Sequence, residues 1–326
     1  MNQKFRTVAI VFIIFISGCD DSFSPNVDLV RKVVVFGVLT PNANSQFIRV
    51  HSIASPQESN PRNDSVAGTV VRVSKGGSMT AFRDTLLVAV NDVGDTVKIP
   101  AFVTYELSIE RGARYALSVA SPSYGEVSAI VSVPSRGVLS TLGNLILEDP
   151  WDQNEDLDII VSIALSPDTK GFFMRFFLNY DVFRNGAWTT ENVEVPIKLE
   201  DSNGLADIKG VYPSLGLRTT SRSPTGFPVE RKGYMNSEYR KVLTLIYATY
   251  GSQNIRMKKA VFQMIQVEDN LFNYYFIANN FADKFSIRVD QPEFTNINGG
   301  FGVFGAFTFD SLVVDLPADL SPRPPR

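Results

Sequence analysis

Three glycines near the C-terminus, Gly300, Gly302 and Gly305, have the spacing G-x-G-x-x-G within the stretch NINGGFGVFGAF. This spacing binds a dinucleotide pyrophosphate when a strand precedes the glycines and a helix begins at them, because the phosphate lies on the free N–H groups of that helix. The residues that follow, AFTFDSLVVDL, roughly alternate apolar and polar side chains and predict a strand. We therefore expect the glycines to let neighbouring backbone pack closely beside a final strand.

Residues for nucleophilic or zinc chemistry are scarce in the chain. It has one histidine, His51, and one cysteine, Cys19. A Ser-His-Asp triad would require His51 as its base, and a His-Cys zinc site needs more ligands than these two. The sequence lacks the G-x-S-x-G nucleophile motif, and His51 alternates with Phe47, Arg49 and Ile53 as on a strand. We expect a strand histidine without a catalytic role.

Oxygen ligands of the kind that bind calcium occur at alternate positions in the stretch DPWDQNEDLD, at Asp152, Asn154, Asp156 and Asp158. An EF-hand loop would continue with Gly at its sixth place and Glu at its twelfth, where this chain has Leu157 and Ile163. Two interpretations remain: a calcium site, or a solvated acidic connection between domains. No other cofactor is expected. Hydrolysis by paired carboxylates stays open, since it needs two acids to converge across a cleft.

An aromatic stretch, GFFMRFFLNY, offers a different kind of contact. Alternation places Phe172, Met174, Phe176, Leu178 and Tyr180 on one strand face. The other face carries Phe173, Arg175 and Phe177, which could stack on a sugar or peptide ligand or pack beneath a helix. One of the two faces must enter a core.

The N-terminus predicts a lipid anchor. Lys4 and Arg6 precede the apolar run VAIVFIIFI, which is too short for a comfortable transmembrane helix and typical of a secretory leader. The run ends in Ile16, Ser17, Gly18 and Cys19, the pattern of a lipobox. Residues 1–18 are therefore predicted to be a lipoprotein signal peptide and 19–30 a lipidated tether, although an ordinary cleaved signal with an incidental cysteine would share the pattern. Lipidation of Cys19 would leave no thiol for a disulfide.

The charge balance bears on partners. The formal net charge is -3 and the pI is near 5.4, so binding to nucleic acid is not expected.

Residues 31–135 contain short β-type runs separated by Gly, Pro, Asn and Asp, and they predict an immunoglobulin-like or fibronectin-like β-sandwich. An acidic linker at 136–156 leads to a second, β-rich domain at 157–318 with one helix, starting near Glu268, and a Pro-rich tail at 319–326. Within that domain Asn185-Gly186 predicts a hairpin turn, KVLTLIYATYG and IRMKKAVFQMIQV predict a strand pair, and residues 201–233 predict a long loop. The fold class is therefore mainly all-β.

Four features in order resemble the Bacteroidetes lipoprotein family called domain of unknown function (DUF) 4249. They are the lipobox, VVVFGVLT, the Y-x-L-x-V and V-S-V-P patterns between Tyr115 and Pro134, and NINGGFGVFGAF. The resemblance implies an outer-membrane lipoprotein, often encoded beside TonB-dependent transporters. Asp20 and Asp21 resemble a short version of the acidic signal that sends such lipoproteins to the cell surface, which favours surface exposure and leaves periplasmic display open.

These features together predict a non-enzymatic surface lipoprotein that is an accessory or ligand-capturing partner of a TonB-dependent outer-membrane transporter. A structural or adhesive envelope lipoprotein would share every feature, and a carboxylate-based hydrolase is the third possibility. The resemblance assigns no binding residues, and residues 201–233 match no motif.

Overall fold

The computed structural model describes residues 32–52, 67–90, 94–142, 144–200, 202, 204–205, 208–218, 229–280 and 294–323. The predicted signal peptide, the lipobox, Cys19 and the tether lie outside the described residues, as do parts of the 201–233 loop and of the tail. Strands dominate what is described, which confirms the all-β class. Among these residues no helix is long and apolar enough to span a membrane.

The N-terminal unit is a seven-stranded sandwich. Its strands are β1 (Val33–Leu39), β2 (Gln46–Ser52), β3 (Val70–Lys75), β4 (Ser78–Val90), β5 (Thr96–Thr104), β6 (Arg114–Ser121) and β7 (Gly125–Ser132). One sheet has the order β1-β2-β5-β4 and the other β3-β6-β7, with the long β4 pairing with both β5 and β3. This is the strand order of immunoglobulin constant-type domains, so the predicted sandwich is confirmed.

The sandwich core follows from period-2 alternation. In β1 every second residue is buried, and the same pattern recurs in β2 and β6. Tyr115, at the start of β6, is completely buried, and its hydroxyl accepts a hydrogen bond from the Glu110 N–H at 2.7 Å and donates one to the Ser108 carbonyl at 3.4 Å. This is the tyrosine corner that joins the two sheets of such sandwiches.

The C-terminal unit has a second core. Its elements are β8 (Val138–Thr141), α1 (Asn144–Glu148), β9 (Asp158–Ala164), β10 (Gly171–Arg184), β11 (Ala187–Val195), β12 (Lys198–Leu199), β13 (Gly210–Val211), β14 (Gly216–Leu217), β15 (Val229–Met235), α2 (Asn236–Tyr250), β16 (Ile255–Val267), α3 (Asp269–Asn280) and β17 (Phe301–Asp315), with short 3-10 helices at Pro150–Asp152 and Ser252–Asn254. Strands β11-β10-β16-β17 form an antiparallel sheet, and β15-β9-β8 form a small second sheet. Helix α2 contributes to the core between them.

Strand β17 belongs to both units. Its residues 301–306 pair in parallel with β1, and residues 307–315 pair antiparallel with β16. Phe304 and Ala306 are therefore part of the sandwich core, whereas Leu312 and Val314 pack against the second core. One continuous sheet runs from β11 to β7 through this strand.

The sequence prediction was wrong about the stretch KVLTLIYATYG. It is helix α2, and its buried residues Tyr239, Val242, Leu243, Ile246 and Tyr247 recur at the helical spacing of three and four. The β-branched and aromatic residues misled the prediction because they are also common in strands. The described residues thus hold three α-helices, and the single helix predicted near Glu268 is confirmed as α3.

Two predicted connections contain ordered structure. The segment 136–156, predicted as an acidic linker, includes β8 and α1, and Ile146 and Leu147 enter the second core. Within 201–233, β13 pairs with β12 and β14 pairs with β10. The predicted Asn185-Gly186 turn is confirmed, since both residues have positive φ between β10 and β11.

Candidate functional site

The C-terminal sheet has one face that points away from the second core, which we call the outer face, and this face carries half-exposed apolar side chains. Cross-strand pairing places Phe173, Ile265 and Phe309 in one row over β10, β16 and β17. A second row holds Phe177, Val261 and Val313. Phe309 and Val313 are 37% and 48% exposed. The row between them holds Arg175, Gln263 and Ser311, so two apolar rows flank a polar one. Exposed apolar rows of this kind mark a binding surface more often than single scattered side chains do.

Arg175 lies between these rows and is already paired. Its Nε donates to Oε1 of Glu194 at 2.9 Å, and a second contact joins Nη2 to Oε2. The guanidinium also lies 4.7 Å from the centre of the Phe177 ring. The hydrogen bond with Glu194 is the main cause that raises the pKa of Arg175. The ion pair therefore makes the middle of the outer face nearly neutral, and Phe173, Arg175 and Phe177 do share one face as predicted.

A cavity of about 240 Å³ opens beside Phe173. Ile197, Pro213 and Tyr234 line it together with Lys232, whose ammonium lies 5.3 Å from the centre of the Phe172 ring. An apolar pocket with one cation at its side suits a small planar or anionic group. Together the pocket and the outer face form the candidate binding surface.

The four predicted calcium ligands lie in different local settings. Asp152 ends the 3-10 helix, Asp158 begins β9, and Oδ1 of Asn154 accepts the N–H of Asp156 at 3.0 Å. Over the described residues no group of three or more His, Cys, Asp or Glu side chains could hold a metal ion. Calcium binding at this segment stays a prediction.

Asn236 explains how the acidic segment is held. It is completely buried at the start of α2, and its side-chain amide donates to the carbonyls of Pro150 at 2.9 Å and Asn154 at 3.1 Å. Its own N–H donates to the carbonyl of Leu157 at 2.8 Å. Carbonyl oxygens that converge in this way are satisfied by an amide of the chain itself. Nothing in the sequence pattern signalled this role.

A cleft of about 450 Å³ lies between the acidic segment and α2. Trp151 forms part of its wall, with the Arg240 guanidinium 4.8 Å from the ring centre. Arg240 also pairs with Glu155 at 2.8 Å, and Glu200 lines the same cleft. The cleft could receive a polar ligand, but the aromatic face of Trp151 is already covered by the arginine.

His51 packs against Phe36, with ring centres 5.9 Å apart and nearly parallel planes. Burial, and then the nearby charge of Arg49, lower the pKa of His51. Since its ring packs on an aromatic side chain of β1, its position agrees with the expected strand histidine.

The three glycines of the G-x-G-x-x-G stretch each sit against other backbone or α3. A Cβ on Gly300 would lie 2.7 Å from the Val33 carbonyl oxygen, and one on Gly302, where φ is +102°, would overlap that of Val35. At Gly305 it would lie 2.7 Å from Cβ of Leu271. The glycines thus permit the parallel pairing of β17 with β1 and the packing of α3, as the sequence predicted.

Glu268 is the buried carboxyl that sequence reasoning missed. It is 3% exposed, and its oxygens accept the N–H groups of Asn270 and Leu271 at 2.7 Å and of Ala306 at 3.3 Å. Burial raises the pKa of Glu268 to about 7, although these three hydrogen bonds lower it in part. The carboxyl group therefore fastens the first turn of α3 to β17.

A buried polar junction links the two units. Gln266, which is completely buried, accepts the N–H of Ser166 at 2.8 Å and donates to Oδ2 of Asp310 at 3.2 Å. Oδ1 of Asp310 pairs with Arg111 of the sandwich at 2.8 Å. Side chains from the β5–β6 connection, β16 and β17 meet here.

The sequence model of the family described as "Domain of unknown function (DUF4249)" matches residues 20–312. The chain belongs to the DUF4249 family. The DUF4249 match starts at the residue after Cys19 and spans both cores and the glycine stretch. The family resemblance is thereby confirmed, and the family description itself names no ligand or activity.

No curated protein matches the chain. Among solved structures, the C-terminal globular domain of an oligosaccharyltransferase from Pyrococcus abyssi is similar over 70% of this chain and 45% of that one, at 12% identity and a TM-score of 0.23. The chain therefore spans less than half the length of that protein, and so distant a likeness carries no argument.

Proposed function

We propose that this DUF4249 protein is a non-enzymatic outer-membrane lipoprotein that faces the cell surface and is an accessory or ligand-capturing partner of a TonB-dependent transporter. The observation that carries the proposal is the lipobox Ile16-Ser17-Gly18-Cys19 behind a basic and apolar leader. The three acyl chains usual for a bacterial lipoprotein bury enough CH₂ groups to hold the protein firmly. Asp20 and Asp21 support export to the surface.

A binding role is supported by the candidate binding surface. It combines the apolar rows of the outer face with the cavity beside Phe173, in a sheet whose strands pair over many residues. The chemistry of the other groups agrees with a binding role. His51 packs on Phe36, the carboxylate of Glu268 accepts backbone N–H groups, and the glycines permit strand pairing.

The test is affinity purification of the tagged, lipidated protein from its native outer membrane in mild detergent, followed by mass spectrometry. We expect a stoichiometric TonB-dependent transporter to co-purify. The Cys19→Ser variant is the matched control, since it keeps both cores and loses the acceptor thiol, and it should no longer fractionate with the outer membrane or co-purify with the transporter.

Two results would contradict the proposal. Recovery of the wild-type protein in the soluble fraction would contradict the predicted lipid anchor. Purification of the protein alone from fully solubilised outer membranes would contradict the predicted transporter partner. Binding to cell-wall or host polymers would then favour the structural or adhesive role.

A further inference from the structure

Strand β17 has one edge that is only partly paired within the described residues. On one side β17 pairs with β1, but this pairing ends at Ala306. On the other side it pairs with β16 as far as Asp315. The part of β17 beyond Ala306 therefore has a strand neighbour on one side only among the described residues.

The direction of each backbone group along this strand is fixed by its hydrogen bonds. The Ala306 carbonyl accepts the N–H of Glu268, and the Leu316 N–H donates to Lys258, so these even-numbered residues point toward the β16 side. Phe309 points the other way. Because backbone groups alternate in an antiparallel ladder, the N–H and C=O groups of Ser311, Val313 and Asp315 also point away from β16. No described residue pairs with them there.

At Phe309, side chains take the place of the missing strand. Oδ1 of Asn42 accepts the Phe309 N–H at 3.1 Å, and Nδ2 of Asn42 donates to the Phe309 carbonyl at 3.4 Å. Arg111 donates to the same carbonyl at 2.9 Å. An amide that both accepts and donates reproduces what a neighbouring peptide group would do. The edge is thus satisfied at Phe309, and from Ser311 onward it has no backbone partner within the described part of the chain.

A cavity of about 660 Å³ adjoins this edge. Arg111, Arg136, Val138, Leu139 and Ser311 are among its lining residues. Arg111 is neutralised by Asp310, whose side chain is 10% exposed. Arg136 is 84% exposed and lies 4.0 Å from the same carboxylate, so one positive charge remains available.

We propose that an extended segment of another polypeptide binds here by adding a strand to β17 at residues 311–315, with a carboxylate of that segment beside Arg136. Main-chain hydrogen bonds to an exposed edge supply affinity in such β-strand addition, and alternate side chains supply specificity. One set of side chains would enter the cavity, and the other would lie beside Phe309 and Val313 on the outer face. A second copy of this chain is the alternative occupant, and the sedimentation experiment below tests it.

Val313→Pro is the decisive variant. The Val313 N–H points away from β16, so proline removes an edge donor and leaves the ladder with β16 intact. Val313→Thr keeps the donor and is the matched control. Arg136→Glu reverses the exposed charge without touching either core. Thermal unfolding of each variant shows whether the fold is retained.

The probe is a phage-displayed library of random dodecapeptides, selected on the full mature protein. We expect enriched peptides that alternate apolar and polar residues and carry Asp or Glu, and that protect the amides of Ser311, Val313 and Asp315 from hydrogen exchange. Their Kd should rise at least tenfold with Val313→Pro and with Arg136→Glu, and remain within about twofold with Val313→Thr.

A measurement on the wild-type protein keeps the test independent of folding of the proline variant. Two versions of an enriched peptide are made, one N-methylated at its odd-numbered residues and one at its even-numbered residues. Each version lacks the N–H groups along one edge of the bound strand, so one of these two N-methylated registers should lose binding and the other should keep it. Failure of any peptide to enrich, equal binding of both registers, or unchanged affinity for the proline variant would overturn the proposal. A dimer in sedimentation that Val313→Pro dissolves would also overturn it, in favour of a second copy. These outcomes do not depend on a transporter.

Discussion

Glu268 shows how one residue can set a pH dependence of stability. Its carboxyl group is buried, and burial disfavours the charged form more than the three backbone N–H groups favour it. The pKa of Glu268 is therefore raised from 4.5 to about 7 in the folded protein. The folded state binds more protons than the unfolded state between these values, so this group's stabilisation is complete below about pH 4.5 and is lost as the pH rises through about 7.

We expect Glu268→Gln to remove this pH dependence. A shift of this size corresponds to at most about 3 to 4 kcal/mol in the free energy of unfolding. Urea unfolding of both proteins at pH 5, 6, 7 and 8 measures it, and wild type should exceed the variant by more at pH 5 than at pH 8. Glu106→Gln, at an exposed position, controls for loss of a surface charge. Parallel pH profiles for wild type and Glu268→Gln would contradict the expectation.

The Asn236 side chain holds the acidic segment against the start of α2 through buried hydrogen bonds. We expect Asn236→Ala to lower the free energy of unfolding by about 2–3 kcal/mol, because it leaves the carbonyls of Pro150 and Asn154 without their buried donor. Asn192→Ala, at an exposed position of β11, should cost well under 1 kcal/mol. Urea unfolding measures both. Equal small losses would show that water replaces the amide.

At the scale of elements, strand β17 depends on its glycines. Gly302 needs a positive φ, and the Val35 carbonyl occupies the space of a Cβ. Gly299 also has a positive φ, but the atom nearest to its Cβ position is 3.5 Å away. An alanine at Gly299 would therefore test conformational strain alone, whereas an alanine at Gly302 would add steric overlap with β1.

We expect Gly302→Ala to destabilise the protein by about 3 kcal/mol or more, and Gly299→Ala by about 1 kcal/mol. The larger loss arises because β1 and β17 would have to separate for the new methyl group. Chemical denaturation of the two variants and wild type gives the comparison. If both alanines cost the same, close backbone approach is not what selects Gly302.

At the scale of the whole molecule, two cores share one strand. Phe304 is completely buried in the sandwich core, although it lies far along the chain from β7. The polar junction of Gln266, Asp310 and Arg111 adds a second link between the units. The two cores should therefore unfold together, since each uses residues that the other holds in place.

Residues 31–135 expressed alone should not fold stably, because this fragment lacks the β17 residues that complete its sheet and core. The same fragment with residues 294–306 joined through a flexible linker should regain cooperative unfolding and near-native circular dichroism. Calorimetry and hydrogen exchange on the two fragments provide the measurement. A stable 31–135 fragment would show that the sandwich is an independent domain.

Local sequence patterns determined much of this protein. The alternation in β1, β2, β3, β6 and β7, the Asn185-Gly186 turn and the start of α3 depend on neighbouring residues, so they could be predicted. The same holds for Phe173, Arg175 and Phe177 sharing one face, because side chains alternate along any strand. The β4–β5 hairpin has no such local signal, since Phe82 is the one buried residue among the described side chains of β4.

The tertiary structure alone decided the rest. Helix α2 forms where strand-type residues recur at helical spacing, because its buried side chains pack between two sheets. The pairing of β17 with β1 joins residues some 270 positions apart, and no local signal encodes such a contact. Arg175 is neutralised by Glu194 because β10 and β11 lie side by side, and over the described residues the edge at Ser311 is open because β1 pairs with β17 only as far as Ala306. Local residue patterns determined which segments could form strands. Burial of apolar side chains from distant segments determined which strands became neighbours.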